Sequence, residues 1–325
     1  MQISVIICTY NRCNSLRRAL ATLTEMRVPE NVSWELLLMD NRSSDDTKKV
    51  FHEFEARLPI RYIFEGQQGK SFALNSAVAH ARGSLLLFTD DDVDVDPGWI
   101  AAYWDAAKRH PDASFFGGPF LARWEGTPPG WLLENKKWLH IAGEIDRGPQ
   151  EQIVQNGDHP FFLGANMACR KEIKGLCFTE KLGPKGSDSS QDGNVRGEEI
   201  ELQGRLLADG QKGVYVPAAV IHHRHSSHRL TEGYLRRWYC GHGIAEVRSG
   251  HIPQINLWWG APRYFWKQFI VSGATYLLTR WTCKSRTWLK AETKFAFAWG
   301  IIGESRKQHA RPRKETLPPA ELPPK

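Results

Sequence analysis

Four apolar runs, "ISVIICT" (3–9), "WELLLMD" (34–40), "IRYIFEG" (60–66) and "SLLLFTD" (84–90), punctuate the start of the chain, and helical patterning fills the gaps between them. Residues 14–26 set Leu16, Leu20 and Leu23 at helical spacing, and further helices are expected at about 45–57 and 70–81. Near-continuous apolar strands alternating with helices are buried on both faces. The fold class that follows is α/β, with a mixed, mainly parallel sheet flanked by helices. Such sheets bind ligands at the carboxyl ends of their strands.

The fourth run ends in "TDDDVDVDP" (89–97), with aspartates at 90, 91, 92, 94 and 96. Asp92, Asp94 and Asp96 begin like a calcium loop, but Pro97 takes the position that requires Gly and Tyr103 the position that requires Glu, which excludes an EF-hand. Asp94 and Asp96 are expected to turn the chain and cap the helix beginning "PGWIAAYWDAAK". Asp90 and Asp92 call for something else. Adjacent carboxylates at a strand end repel one another unless a cation lies among them, and Mg²⁺ or Mn²⁺ is commonly held by one or two carboxylates together with substrate phosphates. "GQQGKS" (66–71) follows a strand and precedes a helix, but Phe64 stands where a P-loop needs its first glycine.

Composition adds bounds. With 325 residues, 41% of them hydrophobic, the chain can bury a full core and carry an extension. Its charge is unevenly placed: residues 204–325 hold 20 Lys and Arg against 7 Asp and Glu, the remainder 23 against 29. Six scattered cysteines without a CxxC pair argue against a disulfide framework or zinc ribbon and for a reducing compartment. "MQISVIICTYNR" has no basic region ahead of its apolar run, so no export signal is expected. The expected location is cytoplasmic, with the inner face of the plasma membrane as a site of peripheral attachment.

Beyond residue 110 the pattern loosens, but "SFFGGPFLARW" (114–124) and "GVYVPAAVIHH" (213–223) read as strands and "GEEIELQGRLLADG" (197–210) as a helix. The expected organisation is a catalytic domain over 1–228, a basic, aromatic helical extension over 229–310 and a disordered Pro-rich tail over 311–325. In the extension, "FIVSGATYLLT" (269–279) is too short to cross a bilayer and is bounded by Lys267 and Arg280. Lys and Arg alternating with Trp and Phe suit either an anionic membrane surface or an ordinary packed extension. No nucleic-acid reader module is present, and no nucleic-acid partner is expected.

Five ordered motifs carry a resemblance. "SVIICTYNR" (4–12), "LLLMDNRSSDDT" (36–47), "GKSFALNSAVAHARGSLLLFTDDDVDVDPGW" (69–99), "FLGANMACRKE" (162–172) and "GEEIEL" (197–202) together resemble the signatures of family 2 glycosyltransferases, over roughly residues 3–230. The resemblance implies a GT-A fold and an inverting transfer from a nucleotide-sugar donor, a UDP-sugar by the family pattern. The implied acceptor is a carbohydrate or glycolipid in surface polysaccharide or glycolipid synthesis.

Residue by residue, it implies that Thr9, Tyr10 and Arg12 pack the nucleotide and that Asp40 accepts a hydrogen bond from its base. Gly69, Lys70 and Asn75 match the start of the helix that runs past the phosphates, where a glycine allows close approach and a helix N-terminus favours an anion. Asp90 and Asp92 match the metal-binding D-x-D, His223 completes the metal shell, Asp91 touches ribose or sugar, and Arg229 faces the diphosphate. The family's Glu-Asp at the base position is here Glu198-Glu199. This departure makes Glu199 the implied general base, with Glu198 the alternate and Glu201 a further substitute.

Other residues stay open between two roles. Asn166 and Arg170 are either sugar or phosphate contacts or parts of a structural turn, and Trp124, Trp131 and Trp138 either a sugar-stacking wall or core. Two rival activities share the sheet: a sugar-1-phosphate nucleotidyltransferase, which would want a glycine-rich loop where "CTYNRCNS" stands, and a non-catalytic, membrane-associated nucleotide-sugar-binding protein.

Overall fold

The structure, a computed structural model, describes residues 1–133, 144–156, 162–186, 195–281 and 287–310. The four apolar runs form strands β1 (Ile3–Thr9), β2 (Trp34–Asp40), β3 (Ile60–Phe64) and β4 (Leu85–Asp90), joined by helices α1 (Cys13–Leu23), α2 (Thr47–Phe54) and α3 (Lys70–His80). All four strands are mutually parallel, in the order β3-β2-β1-β4. Register then places the functional edge: Thr9 pairs with Asp40 and Cys8 with Asp90, so three strand ends meet on one rim.

The chain next forms β5 (Val93–Val95), α4 (Trp99–Arg109), β6 (Phe115–Gly117), β7 (Phe120–Trp124), a single turn α5 (Gly130–Leu133), β8 (Gln152–Val154) and β9 (Met167–Arg170). Then come α6 (Glu198–Ala208), β10 (Gly213–Tyr215) and β11 (Ile221–His225). The main sheet continues past β4 as β9-β6-β10-β8, with β9 antiparallel to both its neighbours and β8 antiparallel to β10. A second sheet, β5-β11-β7, sits beside the rim and carries the histidines of β11. The mixed, mainly parallel α/β expectation is met.

Two apolar layers sandwich the main sheet. On one face Val5, Ile7, Leu36 and Leu38 pack with Leu16, Leu20, Trp99 and Tyr103 from α1 and α4. On the other, Ile6, Leu37, Leu86 and Phe88 pack with Ala73, Leu74, Ala77, Leu202 and Leu206 from α3 and α6. The alternation along each strand divides its side chains between the layers.

Several sequence expectations need correction. Asp94 and Asp96 do not cap α4, which begins after Gly98 without a side-chain cap. Asp94 lies in β5, where its carboxylate pairs with Arg123 and the buried Arg224. Asn166 and Arg170 take the structural role. Asn166 is fully buried, accepting from Trp99 Nε1 (2.7 Å) and Tyr103 Oη (2.7 Å) and donating to the carbonyls of Pro119 and Ala219 (2.8 Å each). Arg170 donates to the carbonyls of Ala107, His110 and Ala113. Trp124 and Trp131 pack in a small cluster with Leu132, Leu235 and Leu289, and Trp138 lies outside the described residues, as does the 311–325 tail.

The extension contains α7 (Glu232–Arg248), a hairpin of β12 (Leu257–Trp258) and β13 (Ala261–Pro262), α8 (Arg263–Thr279) and α9 (Thr287–Ala310). Thr231 caps α7, its hydroxyl accepting from Tyr234 N–H at 3.2 Å. Glycines let α7 and α9 touch backbone to backbone: a Cβ at Gly243 would lie 2.3 Å from the Phe297 carbonyl oxygen, and one at Gly300 2.1 Å from that of Cys240. Gly300→Val is therefore expected to prise the pair apart, at a cost of about 3 kcal/mol by overpacking. The check is a melting temperature lowered by several degrees; an unchanged one would contradict the packing. Among the described residues no helix is long and apolar enough to cross a membrane.

Candidate active site

A cavity of about 780 Å³ opens at the carboxyl rim of the main sheet. Its wall comes from the ends of β1 and β4, the starts of α3 and α6, strand β11 and, unexpectedly, α7. The β1–α1 turn is held by Asn11, at φ 52°, whose side-chain oxygen accepts from Ser44 N–H at 2.7 Å. That places Thr9, Tyr10 and Arg12 on the wall.

The three consecutive aspartates diverge. Asp90 is gripped by Lys70, whose Nζ lies 2.7 and 3.0 Å from the two carboxylate oxygens. Asp91 turns inward, accepting from Thr9 Oγ1 at 2.7 Å and Arg12 Nη1 at 3.2 Å. Burial pushes its carboxyl up to about 6, against the pull of Arg12. Asp92 collects the most charge: Arg12 Nη1 and Arg229 Nη2 each at 3.0 Å, and His223 Nε2 at 3.1 Å. Burial would raise its carboxyl, but His223, Arg229 and Arg12 outweigh that and hold it well below the usual carboxylate range. His223 in turn shares Nδ1 with His225 Nε2 at 2.9 Å.

Helix α6 brings a second group of carboxylates to the cavity, beside Lys70. Gly197, at φ 101°, takes a left-handed turn into α6 and delivers Glu198, Glu199 and Glu201 to its first turn. They diverge too. Glu201 is spent on Thr179 Oγ1 (2.7 Å) and Arg205 (3.0 Å). Glu198 is buried, with Oε1 3.7 Å from Lys70 Nζ and Oε2 without a hydrogen-bond partner among the described residues. Glu199 lines the cavity, its side chain running past Gly164, where a Cβ would stand 3.4 Å away. Burial and the neighbouring Glu198 push the Glu199 carboxyl up to about 8, Lys70 opposing them. A carboxyl so placed holds and releases a proton near neutral pH. For Lys70 itself burial disfavours the charge, but Asp90 and Glu198 more than restore it and raise its pKa.

Of the expected site residues, Thr9, Tyr10, Arg12, Lys70, Asp90, Asp91, Asp92, Glu198, Glu199, His223 and Arg229 meet at this cavity. Asn75 does not: it clamps the backbone of Phe178, donating to its carbonyl (2.9 Å) and accepting from its N–H (2.7 Å). Asp40 sits behind the wall, accepting from Tyr62 Oη at 2.5 Å and Ser43 N–H at 2.7 Å. Its neighbour Asn41 reaches the cavity instead, and through Oδ1 it accepts from the Gly69 N–H at 2.6 Å, fixing the start of α3. Gly69, at φ 141°, is thus a positioning element.

Sequence reasoning missed Asn41, Arg196 and the α7 side chains Tyr234, Arg237, Trp238, His242 and Glu246, all on the cavity wall. The spacing of 234, 238, 242 and 245 on one helical face was the available signal. It was hidden because the whole basic stretch read as a separate extension.

Among the described residues no three His, Cys, Asp or Glu side chains converge as a metal-holding group. Two donors do lie together: Asp92 Oδ1 and His223 Nε2, 3.1 Å apart, are close enough to share one ion. That partial set fits a divalent cation whose remaining ligands are phosphate oxygens and water.

A parallel strand-end rim in the order 3-2-1-4, with a cluster of carboxylates and cations on it, is where an open α/β sheet binds its ligand, and the solved structures below give the fold its class, GT-A. Residues 4–175 match the Glycosyl transferase family 2 model, and the chain belongs to that family. It is similar to validoxylamine A glucosyltransferase of Streptomyces hygroscopicus subsp. limoneus, with 36% identity over 165 residues, 49% of this chain and 34% of that one. The chain spans only about a third to two fifths of the length of the first such relatives. Among solved structures, the mannosyltransferase PcManGT from Pyrobaculum calidifontis in complex with GDP-Man and Mn²⁺ superposes with a TM-score of 0.56 at 15% identity, covering 95% of this chain and 88% of that one. S. aureus TarS 1-349 in complex with UDP gives 0.52 at 14% identity, covering 95% and 92%.

Proposed function

We propose that the chain transfers a sugar from a nucleoside-diphosphate sugar, a UDP-sugar first among them, to an acceptor hydroxyl with inversion at the anomeric carbon. The observation that carries this reading is Glu199, a carboxyl raised toward neutrality, lining one cavity with Lys70, Arg12, Arg229, Asp92 and His223. In this account the acceptor oxygen attacks the anomeric carbon as the bond to the diphosphate breaks. Glu199 takes the hydroxyl proton, and the nucleoside diphosphate leaves.

Asp92 and His223 would hold a divalent cation with the donor's phosphates, and Asp90, paired with Lys70 on the same cavity wall, is assigned to the same ion. When bound, the ion supplies charge neutralisation on the leaving diphosphate. Arg12 and Arg229 already bracket Asp92 and add fixed positive charge on that side. PcManGT, bound to GDP-Man and Mn²⁺, and TarS, bound to UDP, support this assignment by fold alone. Thr9, Tyr10 and Asn41, wall residues at or just after the ends of β1 and β2, are assigned to the nucleotide. The aromatic side chains of α7 are assigned to a carbohydrate or glycolipid acceptor in surface polysaccharide or glycolipid synthesis.

The test is nucleoside-diphosphate release from a panel of UDP- and GDP-sugars with sugar acceptors, in chelator and after Mn²⁺ addition, with the product's anomeric configuration read by NMR. Expected are Mn²⁺-dependent release from a UDP-sugar and an inverted product. A retained configuration would overturn the single displacement.

A further inference from the structure

Helix α8 turns an apolar face outward. Tyr264, Ile270, Val271, Leu277 and Leu278 are 56 to 72% exposed, and they recur at seven-residue spacing (264, 271 and 278; 270 and 277), two helical turns apart on one face. The other face is spent inside the bundle: Ser272 is buried, Phe269 stacks on Phe295 of α9 with ring centroids 4.5 Å apart, and it lies 5.5 Å from Trp299. At 1.5 Å per residue the exposed stripe runs about 21 Å. Tryptophans stand at both ends. Trp258 and Trp259 stack at 4.3 Å in the hairpin, which Trp266 Nε1 ties to the helix through the Trp258 carbonyl (2.6 Å), and Trp281, 88% exposed, follows the last turn.

We infer that this face docks on an anionic lipid bilayer, with α8 lying in the interface. Charge complementarity selects that occupant. Between Glu246 and Glu292 the sequence has seven Lys and Arg and no Asp or Glu. Arg263 and Lys267 are exposed on α8 itself, and Lys290 and Lys294 on α9. Nearby acids are turned to internal partners: Glu292 to Arg236, Glu304 to Arg248, and Glu232 to Arg280. A second copy of the same face would bring cations against cations with no acid of that segment to meet them. An anionic headgroup layer supplies the missing charge, and the acyl boundary accepts Ile, Val and Leu while Trp settles at the headgroup level. The docking uses no catalytic side chain, so its failure would leave the transfer reading untouched.

The test is sedimentation of the full chain with vesicles of phosphatidylcholine alone or with about one-third phosphatidylglycerol. Binding to the anionic vesicles, falling with added salt, is expected. Val271→Ser with Leu278→Ser should lower the partition roughly tenfold or more by removing buried apolar area. Arg263→Glu with Lys267→Glu should lower it only on anionic vesicles, and circular dichroism checks that both variants keep their helices. Because both residues of the charge pair are exposed, it keeps the test open if the serine pair misfolds. A wild-type chain left in the supernatant by both vesicles would overturn the inference. So would variants that bind like the wild type, or a concentration-dependent dimer that the serine pair abolishes without any vesicle binding.

Discussion

Glu199→Gln is expected to lower kcat by about 10²–10⁴, the usual worth of a positioned general base, while leaving donor affinity close to wild type. The substitution preserves shape and removes only the capacity to take the proton. The wild-type pH profile gives an independent reading of the same group. A base works deprotonated, and this carboxyl is raised to about 8, so kcat/KM should climb with pH and level off above about 8. In Glu199→Gln that limb should disappear. Glu198→Gln separates the two neighbours: Glu198 is buried beside Lys70 with one oxygen unpartnered, so its loss should perturb Lys70 and Asp90 without erasing the limb. Were the limb to vanish in Glu198→Gln and survive in Glu199→Gln, the base would be the wrong glutamate.

Asp92→Asn is expected to cost activity by about 10²–10³ and to abolish the Mn²⁺-dependent part of nucleotide binding. It removes the carboxylate that Arg12, His223 and Arg229 share, along with one of the two adjacent metal donors. Leaving those cations without their common partner should also destabilise the folded chain, by about 3–5 kcal/mol where such a pair is buried. Isothermal titration of UDP with and without Mn²⁺ separates the effects. Mn²⁺ should tighten UDP binding to the wild type and make no difference to Asp92→Asn; an equal enhancement in both would remove Asp92 from the metal site.

Much of the fold was legible in the sequence because its strands are continuous apolar runs, unusual outside a sheet buried on both faces. The β1–β4 half followed from periodicity alone, and parallel register then brought Thr9 and Asp90 to one rim. What sequence could not show was the direction of side chains on residues adjacent in the chain. Asp90, Asp91 and Asp92 are alike as letters, yet they face Lys70, Thr9 and His223 respectively. Asn75 fits a nucleotide-side motif, but a loop 103 residues away claims both ends of its amide. Long-range packing also hid the contribution of α7, which lines the cavity with Tyr234, Trp238 and His242 while Gly243 and Gly300 let α9 press against it.

The most direct measurement of the central claim, a metal-assisted nucleotide-sugar site at this rim, is the melting temperature of the chain with UDP, GDP, dTDP, CMP and ATP, each with and without Mn²⁺. A ligand that binds only the folded state raises that temperature. The account predicts a rise with UDP and Mn²⁺ together that clearly exceeds the rise with either alone. A rise with ATP only, or none with any nucleoside diphosphate, would contradict it.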